Sequence, residues 1–108
     1  MATYTNTSYV AKSVGASAST LVTVPNATTA AVASLIVSNT ITSPITTSVY
    51  FTRSSVDYYL VYQATIPVGG SLEVIQGNRV VLIAADILKV VNNTASSGDC
   101  VASVLLAA

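Results

Sequence analysis

The chain is expected to be all β: a two-sheet antiparallel β-sandwich, jelly-roll or immunoglobulin-like, of about eight strands. Three observations carry this expectation. The sequence is rich in Thr, Val, Ser and Ile, residues that fit a pleated, half-buried surface better than a helix. Turn signals recur at short and fairly even intervals: Pro25-Asn26, Ser43-Pro44, Pro67-Val68-Gly69-Gly70, Gly77-Asn78, Ala84-Ala85-Asp86 and Ser96-Ser97-Gly98-Asp99. Short strands punctuated this way build sandwiches and barrels. Finally, 108 residues suit a single domain, and a chain of that length buries about 65% of its unfolded surface, enough for one two-layer core.

The elements follow in order. Residues 1–8 are Thr/Asn/Ser-rich, with Tyr4 as their large apolar group. They read as a flexible N-terminal arm, either frayed or ordered on a neighbouring subunit, ahead of a single β-sandwich domain over residues 9–108. Strands are expected near Tyr9–Val14, Leu21–Val24, Ala30–Ser38, Ile45–Thr52, Tyr58–Ile66, Ser71–Ile75, Arg79–Ile83, Ile87–Asn92 and Cys100–Leu106. The alanines around Thr29–Val37 compete for a helix, but Leu35-Ile36-Val37 and the lack of a capping pattern favour a strand. Pro67-Val68-Gly69-Gly70-Ser71 lacks the lysine and the spacing of a phosphate loop. It reads as a turn with positive φ at Gly69 or Gly70.

Alternation assigns faces. In the fifth strand Tyr58, Leu60, Tyr62, Ala64 and Ile66 form a core face, opposite Asp57, Tyr59, Val61, Gln63 and Thr65. In the fourth, Ile45, Thr47, Val49 and Phe51 point inward and leave Tyr50 and Thr52 outside. The segments Val80–Ile83 and Cys100–Leu106 are apolar on both faces. A sandwich strand with one face in water should alternate apolar and polar, so a second apolar face implies cover from another chain. The candidate interface residues are Tyr4, Tyr50, Tyr59, Val61, Val81, Ile83, Val101 and Leu105.

The chemistry is sparse. Charged residues make up 7% of the chain, against about 25% in ordinary globular proteins. Hydrophobic residues make up 52%, histidine is absent and the net charge is zero. Zero net charge favours association. Lys12, Arg53, Arg79 and Lys89 are scattered, with no basic stripe for phosphates, so no nucleic-acid partner is expected. The apolar runs Val80–Ala85 and Val101–Ala108 fall far short of the roughly 20 residues of a spanning helix, and no membrane partner is expected. The stretch Met1-Ala2-Thr3-Tyr4-Thr5-Asn6 lacks the pattern of a secretory leader. With a single cysteine, Cys100, this leads to an expectation of synthesis in a reducing cytosol. The three glycosylation-like triplets at Asn6, Asn26 and Asn92 then follow from composition alone.

No catalytic residue, cofactor or metal ligand set emerges. Asp57, Glu73, Asp86 and Asp99 are isolated, and Asp86 and Asp99 suit turn chemistry. A hydroxyl nucleophile would lack a base, so no enzyme is expected. Lys89 fits an outward residue guarding an edge, and Arg53 an exposed pair with Asp57. Tyr50, Tyr58, Tyr59 and Tyr62 fall on two sequential strands and could offer a platform for sugars or proteins.

From Thr20 onward the order of motifs resembles a known group. It runs Thr20-Leu21-Val22-Thr23-Val24-Pro25, Leu35-Ile36-Val37-Ser38-Asn39-Thr40, Val49-Tyr50-Phe51-Thr52-Arg53-Ser54 and Ile66-Pro67-Val68-Gly69-Gly70-Ser71-Leu72-Glu73-Val74. It closes with Gly77-Asn78-Arg79-Val80-Val81-Leu82 and Ala85-Asp86-Ile87-Leu88-Lys89-Val90. The pattern resembles small β-sandwich virion proteins of tailed bacteriophages, especially cyanophages, of the decoration (cement) type. The resemblance implies a virion structural protein, most simply a head decoration protein. It would be a homo-oligomer, with a trimer favoured, bound to the major capsid protein or other virion proteins. A tail, neck or fibre-associated component is the alternative, and a carbohydrate- or receptor-binding module a second. Such sequences are expected to carry glycine before Asp86, and Ala85 puts a positive φ there in doubt.

Overall fold

The computed structural model describes residues 4–75 and 79–107, and the Gly77-Asn78 turn signal lies outside them. Nine strands follow in order: β1 (Tyr4–Val14), β2 (Ser19–Thr23), β3 (Thr29–Asn39), β4 (Ile45–Arg53), β5 (Val56–Ile66), β6 (Ser71–Ile75), β7 (Val80–Leu82), β8 (Ile87–Asn92) and β9 (Gly98–Ala107). All pairings are antiparallel. The first sheet runs β1-β9-β3-β6, with β7 also on β3, and the second runs β2-β8-β4-β5.

Register sets β6 and β7 one after the other along β3. Both lie antiparallel to β3, first from Ser38↔Ser71 to Leu35↔Ile75, then from Val32↔Val80 to Ala30↔Leu82. Taken as one, they leave eight strands in two sheets of four. The pairing is nested: β1 with β9, β2 with β8, β3 with β6 and β7, and β4 with β5. The chain is therefore one long hairpin rolled onto itself, crossing between sheets at most of its connections. Nested pairing of this kind is a jelly roll. It excludes the immunoglobulin alternative, whose sheets group the strands differently.

Inward alternation fills the space between the sheets. Val14, Val22, Val24, Val32, Leu35, Val37, Ile45, Val49, Ile66, Leu82, Leu88 and Val90 are fully buried. Asn39 ties two turns to this core: its amide Nδ2 donates to the carbonyls of Ser43, Ile66 and Pro67, and its Oδ1 accepts from the N–H of Ile41. Gly98 has no room for a side chain, since a Cβ there would lie 2.6 Å from the Ser38 carbonyl oxygen. The Pro67–Gly70 turn is closed by the Gly70 N–H on the Pro67 carbonyl, and Gly69 holds φ +71°.

Several expectations change. Residues 4–8, read from the sequence as an arm, form the first half of β1 in register with β9. Strict alternation fails in β5. Register shifts opposite Thr47–Tyr50, with Gln63 at φ +50°, turn Tyr62 outward to 65% exposure, while Leu60 and Ile66 stay inside. Tyr58 does face Phe51 (ring centroids 5.3 Å apart), but β5 is an edge strand and leaves it half-exposed. Lys89 guards no edge, because β8 lies between β2 and β4. Ala85 does adopt a positive φ, +71°.

Candidate assembly surface

The outer face of the first sheet is built from rows of side chains that the register sets side by side. One row is Val10, Val101 and Ile36, continued by Glu73; a second is Asn6, Leu105, Ala31 and Val81. Between them runs Ser8, Ser103 and Ser34. Two apolar ribs thus flank a serine furrow, a shallow hollow of about 330 Å³ lined by Asn6, Ser8, Ala33, Ser103 and Leu105 among others. Ala33 enters it because β3 bulges between Val32 and Ser34. Val10, Ile36, Val81 and Val101 are exposed, and Leu105 is half-buried.

Among the sequence candidates, Val81, Val101 and Leu105 come together on this face, and Ile83 lies exposed just beyond β7. Tyr4 stands exposed at the start of β1. Residues 100–106 alternate as expected, with Cys100, Ala102 and Val104 buried and Val101 out. Sequence reasoning missed Val10 and Ile36, although the signal was present. Tyr9-Val10-Ala11 and Leu35-Ile36-Val37 are unbroken apolar runs, so in each the middle residue must face away from its neighbours.

Tyr50, Tyr59 and Val61 lie on the second sheet. Tyr59 sits over Tyr50 with ring centroids 4.9 Å apart, and Tyr62 meets Tyr59 edge-on at 5.0 Å. The Lys89 ammonium covers the other side of Tyr50 at 6.0 Å. Tyr50 is consequently only 8% exposed and is unavailable as an interface residue, while Tyr59 and Tyr62 are open. Burial raises the Tyr50 phenol above its ordinary pKa. Val61 is half-buried on edge strand β5.

The charged groups serve the scaffold. Arg53 pairs with Asp86 rather than with Asp57: its Nε lies 3.0 and 3.1 Å from the two carboxylate oxygens, and its Nη2 lies 2.6 Å from Oδ2. The cause is topological, since β4 pairs with β8 and brings Thr52 opposite Ile87. Asp86 also accepts the Ile83 N–H at 2.9 Å, the turn role expected of it. Arg53 lies over Phe51, 5.2 Å from the ring centroid. Asp57 instead accepts the Thr52 hydroxyl at 2.7 Å. Asp99 accepts the Ser13 N–H at 3.0 Å and the Lys12 ammonium at 3.2 Å. These donors hold both carboxyls below their ordinary pKa, Arg53 foremost for Asp86 and the Ser13 amide foremost for Asp99. Burial pushes the Cys100 thiol up to about 12, so the reactive thiolate is suppressed. Among the described residues no three His, Cys, Asp or Glu gather as a metal set, and no helix is long and apolar enough to cross a membrane.

No protein-family model matches the chain, and no curated protein matches it. Among solved structures, it is similar to a protein of the Bacillus endospore appendages, described as disulfide-linked pili. The two share 13% identity over 98% of this chain and 86% of that one, at a TM-score of 0.57. It is also similar to a chain of infectious bursal disease virus, strain Gx, at 10% identity and a TM-score of 0.52 over 99% of this chain. This chain spans 37% of the viral one. At such identities the likeness establishes a shared all-β fold.

Proposed function

We propose that this chain is a structural subunit of a multi-copy particle, and more specifically a decoration protein of a tailed-phage head. One observation carries the reading: apolar ribs on the outer face of the first sheet, in a chain of zero net charge, where a free sandwich would be polar. Both structural neighbours come from assemblies, a pilus and a virion, which supports the subunit reading. The finer assignment to a phage head comes from the motif order running from Thr20 to Val90. On this reading the chain is made in the host cytoplasm, has no catalytic step, and resides in the virion on the major capsid protein.

The mechanism is mass action. Covering the ribs at a junction between capsid subunits removes apolar surface from water, at roughly 25 cal/mol per Å² before the cost of association. A ligand that binds only the assembled shell stabilises only the assembled shell. Jelly rolls serve many roles, so the subunit reading rests on the surface and not on the fold.

The test is to add the purified chain to capsids of the parent particle and measure their thermal disruption and the bound copy number. Hundreds of copies and a raised disruption temperature are expected. Six or twelve copies would move the protein to the tail or neck, and an unchanged capsid would overturn the decoration role. The exposed Tyr59–Tyr62 pair favours a second reading, a carbohydrate-binding module. Glycan-array binding lost on Tyr59→Ala and Tyr62→Ala, with assembly intact, would establish it instead.

A further inference from the structure

A two-sheet sandwich has four edge strands, and an unguarded edge is a template for another strand. Three edges here carry obstacles. β2 is short and bulged between Thr20 and Val22. The β6–β7 edge is split into pieces of five and three residues. β5 opposes two register shifts and bears Asp57. The fourth edge is different. From Tyr4 to Ala11, β1 holds an unbroken register with β9, and the segment contains no charge, proline or glycine. Its irregularity and its lysine come only beyond Ala11.

The two most exposed large apolar side chains of the described residues both stand on this strand, Val10 at 70% and Tyr4 at 68%. They lie on the same outward face and are symmetric about Thr7. An antiparallel two-fold centred on Thr7 would therefore set Tyr4 of each copy directly opposite Val10 of the other. Asn6 would face Ser8 on the same side, with Thr5 opposite Tyr9 and Thr7 opposite itself beneath. Aromatic with β-branched and Thr with Thr are the cross-strand pairs that stabilise sheets. An uncharged edge on a chain of zero net charge also meets its own copy without repulsion.

We infer that β1 is a self-association edge: two copies join through antiparallel β1–β1 pairing about Thr7, making one continuous sheet across the pair. The pairing is isologous, so it closes at two. The Val10–Val101–Ile36 ribs of both copies then lie on one widened face, ready for a larger partner. The inference names a contact within the assembly role proposed above, and rests on that role only for its purpose. The trimer implied by the motif resemblance would need a different contact.

The test uses the full chain in two measurements. Light scattering on eluted protein at tens of micromolar should give a dimer, and Val10→Lys should shift it to a folded monomer whose melting temperature matches that of wild type diluted until monomeric, since Val10 is open to solvent in the single chain. Thr7→Cys should yield a covalent dimer under mild oxidation, because the two sulfurs meet only on this axis and Cys100 is buried. Val10→Cys should not, because its partner is Tyr4. Should Thr7→Cys fold but not link, Tyr4→Cys/Val10→Cys should link in its place. A wild-type monomer, a trimer, or a dimer that survives Val10→Lys with neither variant cross-linking would overturn the pairing. A chain that is monomeric in solution and on the shell overturns the edge while leaving decoration intact. A cross-linking dimer that ignores capsids does the reverse.

Discussion

Arg53 and Asp86 are far apart in sequence, and the pairing of β4 with β8 brings the guanidinium onto the carboxylate. The Asp86 carboxylate is almost fully buried, whereas the Arg53 side chain is more than a third exposed. Solvent therefore screens the pair, and the Ile83 N–H shares in holding the acid. Asp86→Ala removes both partners from a tight turn and should cost about 2 kcal/mol, read from chemical denaturation. Asp86→Asn should cost less, because the amide oxygen can still accept the Ile83 N–H. The same residues set the acid limb of stability. Asp86 and Asp99 titrate below their ordinary value of 3.8 in the folded chain, so acid protonates the unfolded chain first and stability falls as pH drops through that region. On the alkaline side, a Cys100 raised from 9.0 to about 12 favours the folded state until the unfolded thiol ionises above 9.0. With no histidine, the melting temperature should be level between about pH 5 and 8 and decline on both flanks. A transition near pH 6.5 would contradict this assignment.

At the scale of elements, the β4–β5 hairpin turns on Ser54 and Ser55, both at positive φ, between the paired residues Arg53 and Val56. Two consecutive left-handed residues make the type I′ turn that suits the twist of paired strands, and Asn-Gly is its preferred sequence. Serine supplies neither the tolerance of Asn nor the freedom of Gly, so the hairpin was legible only from its flanking strands. Ser54→Asn with Ser55→Gly should raise stability by about 1 kcal/mol, seen as an increase in melting temperature. The β5 face assignment failed for a related reason. Each of the two register shifts slips the alternation, and nothing in Leu60-Val61-Tyr62-Gln63 announces them, because Leu60, Val61 and Tyr62 are all apolar and fit either face. Ala85 shows the same limit, since a left-handed alanine costs about 1 kcal/mol and is held there by the Asp86 turn.

At the scale of the molecule, nested pairing around one long hairpin gives two sheets that enclose a largely apolar core, with apolar ribs beside a serine furrow on the outside of the first sheet. Val101→Thr with Ile36→Thr makes that outer rib polar while keeping β-branched side chains on the two paired strands and adding no charge beside Glu73. Stability should stay within about 0.5 kcal/mol by thermal unfolding, while binding to the parent particle is lost. A large loss of stability would mean that the rib serves the fold and not a partner.

The amino-acid sequence by itself determined the all-β class, the approximate strand positions and the two-faced apolar character of Val80–Ile83 and Cys100–Leu106. Those properties follow from local propensity and from a side-chain period of two. The jelly-roll order, the Arg53–Asp86 pair, the outward turn of Tyr62, the burial of Tyr50 and the joining of Val10, Val101 and Ile36 into one rib were decided only by tertiary structure. Each depends on which distant strands lie side by side and in what register. Local sequence does not encode that choice, because it is made by the packing of the whole chain.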